Sequence, residues 1–404
     1  MAPATTRPTV VLGSSAPLRE DGARWAGDAF PADAVLEPWF SCLSERLGAT
    51  RIFDCHTHLG CADPDGSCFD VDELMAALGA VDARAVVFPL AEPGGYRAAN
   101  DRMLSVAAAS DGRLVAFCRV DPRNGAAREV ERAVGRGAAG IKLHPRAERF
   151  GLGDPAVRGI LAVADEHRLP VIVHAGRGIL SLGSDAIELA RAYPRAPLIL
   201  AHAAIADLAW IWREAAGQRN LFFDTAWWNI ADQLALFGLI PPGQILFASD
   251  TPYGRTIAAA SVVLRAALAA GLSTEQIAMV AGGQLERLLA GAEPLDPGPA
   301  PGAPAPGPGP LLERIYTLLV AAVARLTAGY PAEEYLELAL LACRVPPDHP
   351  DAPVAASVRE LLDRHARYLA TDPPRRGPRV PGIHLIFVAA AVARTAGLPL
   401  PTTM

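Results

Sequence analysis

The sequence predicts an α/β protein: a (β/α)8 TIM barrel joined by a Pro/Gly-rich linker to a C-terminal all-helical domain. Three observations predict it. Short β-branched or aromatic runs alternate with Ala-rich stretches of helical periodicity from residue 51 onward. Eight such runs occur before the pattern stops, the number a closed parallel barrel needs. No G-x-G-x-x-G follows the first run, which argues against a doubly wound open sheet.

The elements follow in order. Residues 1–49 form a lead-in rich in Pro, Ala, Thr and Ser, ending in a helix over 34–47 where Val35, Leu36, Phe40, Leu43 and Leu47 recur at helical spacing. The barrel spans 50–292, with strands expected at 51–55, 83–89, 114–120, 139–143, 170–174, 198–201, 221–224 and 244–248. Helices are expected near 72–78, 96–109, 126–136, 155–167, 184–193, 206–215, 229–236 and 257–269, and one amphipathic helix over 274–289 closes the domain. Residues 293–310 alternate Pro with Gly and Ala and read as a semi-rigid linker outside any core. Residues 311–404 hold four helical patterns, at 311–327, 332–343, 354–370 and 383–396.

Composition bounds the function. Hydrophobic residues make up 51% and charged residues 20%, so the chain can bury a sizeable core. The net charge of −6, with no basic patch, argues against nucleic acid as a partner. Apolar runs are too short for a membrane span. The six cysteines show no Cys-x-x-Cys spacing and read as reduced thiols of a cytoplasmic protein.

The chemistry collects where strands end. His56 and His58 lie two apart at the first strand end, and residues i and i+2 share a face. The fourth strand ends in Lys142 and His144, the fifth in His174, the sixth in His202 and the eighth in Asp250. Five of the nine histidines thus fall at one rim. Neutral imidazoles with a carboxylate hold a divalent ion that stays net positive and acidifies water. His56, His58 and His174 are the expected ligands, Asp250 a ligand or water-orienting carboxylate, and His202 the base. Lys142 and His144 share a face, and Arg177 and Trp227 follow strands, so these four are candidate substrate contacts. Arg119, Arg146 and Trp228 have similar positions, and Asp54 shares parity with His56 and is placed to orient an imidazole.

Asp54-Cys55-His56-Thr57-His58, Gly140-Ile141-Lys142-Leu143-His144-Pro145, Val171-Ile172-Val173-His174, Leu198-Ile199-Leu200-Ala201-His202 and Ile245-Leu246-Phe247-Ala248-Ser249-Asp250-Thr251-Pro252-Tyr253-Gly254 together resemble the amidohydrolase superfamily. They look most like its amidohydrolase-2 branch, which includes aminocarboxymuconate-semialdehyde decarboxylase, resorcylate decarboxylases and lactone hydrolases. The resemblance covers residues 50–290. It implies one divalent metal ion, zinc first and manganese second, on His56, His58, His174 and Asp250. His202 matches the family histidine near the metal water, and Lys142 stands where other branches carry a carboxylated lysine bridging two metals. The helical region has no counterpart in the resemblance.

The functional expectation is a metal-dependent hydrolase of a small carboxylate, lactone or amide. A metal-dependent decarboxylase of an aromatic or enoic acid is the second reading. The third is a non-catalytic barrel with a helical interaction domain. Expected partners are a small-molecule substrate and, through the helical domain, a second copy or another protein.

Overall fold

The computed structural model describes residues 31–402 apart from 49, 65, 124, 180, 303–306 and 372–379. Most of the expected lead-in lies outside the described residues. The first described element is the helix Pro31–Leu47, which buries Leu36, Trp39 and Leu43.

Among the described residues, nine strand segments form a three-stranded sheet, β1 Phe53–Leu59, β2 Arg84–Pro89 and β3 Leu114–Ala116, and a six-stranded one, β4 Cys118–Arg119, β5 Ile141–Leu143, β6 Val171–Val173, β7 Leu198–Leu200, β8 Leu221–Asp224 and β9 Ile245–Leu246. All paired strands run parallel. The eight expected runs are all present, the third split into β3 and β4 at Phe117. There Phe117 N donates to Val87 O and Cys118 N to Gly140 O, so the chain passes from one neighbour to the next. The Phe117 ring occupies the space that a Cβ at Gly140 would need. The first and last strands also meet. Cys55 N donates to Phe247 O at 2.9 Å, His58 N donates to Thr251 O at 2.8 Å, and Thr57 bridges Thr251 in parallel.

Burial on both faces, the condition of a parallel sheet, explains the β-branched and aromatic strand composition. Alternate residues face two layers. Phe88, Phe117, Ile172, Ile199, Phe222 and Leu246 pack inside the barrel. Val87, Cys118, Val171, Val173, Leu200 and Phe223 face the helices.

Two expectations need correction, on the closing helix and on the cysteines. The closing helix is not continuous: Thr274–Ala278 and Gln284–Leu289 flank a wide π turn at Met279–Gly283. Phe247 N takes the Val280 carbonyl at 2.9 Å, drawing it toward the strand, and Gly282 lies against Phe53 where a Cβ would crowd the backbone. The stretch after residue 292 is tied at its start to the closing helices. Gln284 pairs with Leu295 through both its amide groups, at 2.9 and 3.1 Å, and Gln276 Nε2 donates to Pro297 O. The cysteines are not all reduced, because Cys61 and Cys68 form a disulfide. The chain doubles back between them, with Gly60 and Phe69 exchanging two backbone hydrogen bonds, a proximity that a seven-residue spacing does not reveal. Among the described residues, no helix is long and apolar enough to cross a membrane.

The helices after the linker are Pro310–Thr327, Glu333–Ala342, Ala352–Leu369 and Ile383–Arg394. They pack on the barrel in one continuous apolar cluster. Buried Arg265, on the barrel helix Thr256–Ala269, donates to Thr395 Oγ1, Thr395 O and Pro399 O at 2.8–3.1 Å. Trp39 Nε1 donates to Ser357 Oγ, and Tyr316 OH to Asn229 Oδ1. Burial lowers the Arg265 pKa to about 10, so the guanidinium stays charged at neutral pH. Arg265→Ala strips three buried oxygens of their donor. The expected loss in a urea titration is about 3 kcal/mol; a loss under about 0.5 kcal/mol contradicts the fastening.

Candidate active site

The candidate site forms at the carboxyl ends of the strands. His56 and His58 reach it through a register shift between Asp54 and Thr57. Phe53 and Cys55 face the barrel interior, so strict alternation would send His56 outward. The shift re-aims both imidazoles inward. His202 is re-aimed by another device. Ile199 and Ala201 face inward, and His202 has φ 59°, a left-handed turn that swings the next ring to the same side. Asp250 is left-handed too, at φ 58°, and Gly254 passes so close to the Ser249 carbonyl that a Cβ there would collide. Non-glycine residues held in this region at a site are local strain that the surrounding packing maintains.

His56, His58 and Asp250 offer ligand atoms that all lie within 4.8 Å of one another. Asp250 Oδ1 is 3.2 Å from His56 Nε2 and 3.1 Å from His58 Nε2. A residue outside the expected set orders the trio: Asp224, at the end of β8. Its Oδ2 lies 2.7 Å from His56 Nδ1, and its Oδ1 accepts from His202 N at 2.7 Å and Ala226 N at 2.9 Å. The buried Lys142 ammonium donates to His56 Nε2 at 2.9 Å. An ammonium only donates, so Nε2 presents its lone pair and Nδ1 carries the proton given to Asp224. Strand parity, which puts Asp224 on the face of Phe222, was the signal for it. Asp54 does not orient an imidazole. Its Oδ1 accepts from the backbone N–H groups of His56 and Ser249, tying β1 to the last strand end.

His174 does not join the trio. Its Nδ1 is 2.9 Å from His202 Nε2, and its Nε2 is 3.2 Å from Arg177 O. His144 stacks on its ring at 4.0 Å. His144 Nδ1 also accepts from Ala147 N, capping the short helix Pro145–Glu148, so part of its role is structural. His202 Nδ1 faces Ala226 O at 2.7 Å. Carbonyl oxygens therefore end this two-ring chain at both sides. Its three contacts need three protons, one more than two neutral imidazoles hold. Arg119 is buried against Glu148 Oε1 at 2.7 Å. Arg177 and Trp227 line the cleft with Arg146 and Trp228; the Trp227 indole donates to Asp232. The cleft measures about 1780 Å³.

A divalent ion fits this donor set. Burial, then the charge of Lys142, holds the His56 and His58 pKa values well below the ordinary 6.5, so both are the neutral form a metal takes. The Lys142 ammonium is itself drawn onto the trio, and Asp224 and Asp250 favour its charge against burial, which lowers its pKa to about 8.

Residues 53–289 match the amidohydrolase family model. The chain belongs to the amidohydrolase family. It is an enzyme of that family, and the non-catalytic reading is set aside. This amidohydrolase is similar in structure to 5-carboxyvanillate decarboxylase from Sphingomonas paucimobilis, at 19% identity and TM-score 0.49 over 60% of this chain and 99% of that one. It is similar also to 2,6-dihydroxybenzoate decarboxylase from Rhizobium, at 15% identity and TM-score 0.49 over 60% and 98%. A third is 4-oxalomesaconate hydratase from Rhodopseudomonas palustris, at 17% identity and TM-score 0.45 over 59% and 96%. None is similar enough to carry a role over to this amidohydrolase. No curated protein sequence matches it.

Two outcomes follow for the amidohydrolase. Asp224→Asn keeps the shape but removes the charge that fixes His56; zinc affinity, read by chelator competition, is expected to fall about 10–100-fold. Unchanged affinity contradicts the orienting role. The second concerns acid. Burial lowers the pKa of His56, His58, His144, His174, His202 and His365 below 6.5. Below that value the unfolded chain takes up protons that the folded chain refuses, so these groups stabilise above it and the stability is lost as pH falls. Asp54 and Asp224, pushed up to about 7 by burial, and Asp232 and Asp250, also raised, act with the opposite sign. Six groups oppose four. The urea midpoint of metal-free protein is expected to drop between about pH 7 and pH 5; a level or rising midpoint contradicts the neutral cluster.

Proposed function

We propose that this amidohydrolase is a metal-dependent hydrolase of a small carboxylate, lactone or amide. His56, His58 and Asp250 hold one divalent ion, zinc first and manganese second. The 50–292 barrel is the catalytic unit, and 311–404 is a helical unit attached through 293–310. When bound, the ion supplies Lewis acidity, polarising a carbonyl and acidifying water.

The observation that carries the reading is the His202–His174 pair between two carbonyls. Burial keeps His202 below its ordinary pKa, and the Asp250 carboxylate pulls the other way. The neutral pair is one proton short of its hydrogen bonds. Uptake of a proton at His202 Nε2 completes them, the property of a general base. Arg146 and Arg177, with Lys142 at the cleft floor, bind the anionic part of the substrate, while His144 and Trp227 flank it.

Decarboxylation is favoured by one observation, the buried Lys142 ammonium at the cleft floor, a donor able to protonate carbon. Zinc-loaded protein is tested on lactones, amides and carboxylic acids in ¹⁸O-labelled water. Hydrolysis is expected to place label in the product, and His202→Gln to lower turnover about 10²–10⁴-fold with metal retained. Carbon dioxide release without label contradicts hydrolysis, and full turnover in His202→Gln contradicts the base. Chelation is expected to abolish turnover and zinc to restore it.

A further inference from the structure

The family match ends at residue 289, yet part of the catalytic cleft is walled by residues beyond the linker. The helix Ile383–Arg394 is buried at every position from Ile383 to Ala393 except Phe387. Phe387 is half-buried, and it lines the cleft. Its ring stacks on Trp228 at 5.3 Å and 23°, and Trp228 meets Trp227 at 6.3 Å. Both tryptophans are half-buried as well. Aromatic faces left open in a concave site offer area to a flat apolar ligand at little entropic cost.

This wall is joined to the metal trio. The His384 ring meets Phe387 edge-on at 5.4 Å, and His384 Nε2 lies 3.4 Å from Tyr253 O. The Tyr253 ring stands edge-on to His58 at 5.7 Å. Two side chains therefore separate Phe387 from a candidate ligand. Six exposed arginines line the same cleft, and two of them, Arg146 and Arg177, adjoin each other. Arg146 lies along the Gly178 backbone beside Arg177, and Arg177 Nη2 donates to Thr327 Oγ1 at 3.3 Å, again a residue beyond the linker. Among the described residues, Arg119, Arg123 and Arg255 are each paired with a carboxylate in or beside the cleft, and no such pair involves Arg97, Arg128, Arg146, Arg149 or Arg177; of these five, Arg146 and Arg177 are the two joined by a side chain-to-backbone contact.

We propose that Phe387, stacked on Trp228, is a specificity-determining residue that the helical extension supplies to the barrel's active site. It selects carboxylates bearing a flat apolar body, the body against Phe387 and Trp228 and the carboxylate at Arg146 and Arg177. The inference rests on the hydrolase reading above, since it treats this cleft as the substrate site.

The test is calorimetric titration of the full-length, zinc-loaded protein with acetate, cyclohexanecarboxylate, benzoate and 3-phenylpropanoate. Wild type is expected to bind 3-phenylpropanoate at least about 10-fold tighter than acetate. Phe387→Ala is expected to bring that ratio within about 3-fold, with acetate affinity, bound zinc and the thermal transition retained. Phe387→Leu keeps the helix apolar at that position should alanine unsettle it, and is expected to lose the preference for benzoate over cyclohexanecarboxylate. Unchanged ratios in both variants, with zinc and turnover intact, overturn the role of Phe387 and leave the hydrolase reading standing. Wild type that binds no carboxylate, or does not prefer the aromatic acids, overturns it too. Wild type that holds no zinc and turns over nothing overturns the hydrolase reading and this inference with it.

Discussion

The buried contact between the Asp224 carboxylate and His56 Nδ1, 2.7 Å long, is the interaction on which the site depends. It runs between the ends of β8 and β1 and fixes the imidazole's tautomer, so that Nε2 faces Lys142 and Asp250. The other oxygen of the same carboxylate holds His202 N in the left-handed turn. One side chain thus positions a candidate ligand and the candidate base together. A charge-assisted hydrogen bond of this kind is worth about 1.5–3 kcal/mol, and leaving either partner buried alone costs more.

The barrel alone does not complete the cleft. The final helices share its apolar cluster, and Arg265 ties their far end to a barrel helix. The aromatic wall at Phe387 is held by that packing rather than by a mobile tether. A cleft walled by two regions of chain is shaped by their relative placement, so mutations far from the trio that loosen this packing bear on binding as well as stability. The Cys61–Cys68 disulfide closes the loop after β1, and Asp63 within that loop accepts from Tyr253 OH, beside the trio.

Strand number, order and the rim histidines were legible because burial on both faces leaves a run of β-branched and aromatic residues, and because chemistry sits at strand ends. The turning devices were not. The register shift at His56 and the left-handed turn at His202 leave no mark in a period-two pattern; parity alone puts His202 on the outer face. Asp224 was hidden because a single aspartate closing a strand looks like the start of a turn. Its shared face with Phe222 was the available signal. His174 was placed at its strand end, but its ring direction is set by His144 stacking and by His202 Nε2, both nonlocal. The Gln284–Leu295 pairing was equally unreadable, since a Pro/Gly stretch carries no record of what its backbone bonds to.

The most direct test of the central claim is the metal content of purified protein by elemental analysis, wild type beside Asp250→Ala. About one divalent ion per wild-type chain and clear loss in the variant are expected. No ion after reconstitution, or an equal content in both proteins, would contradict it. Close to two ions per chain would contradict the single-metal site and bring Lys142 into the coordination sphere.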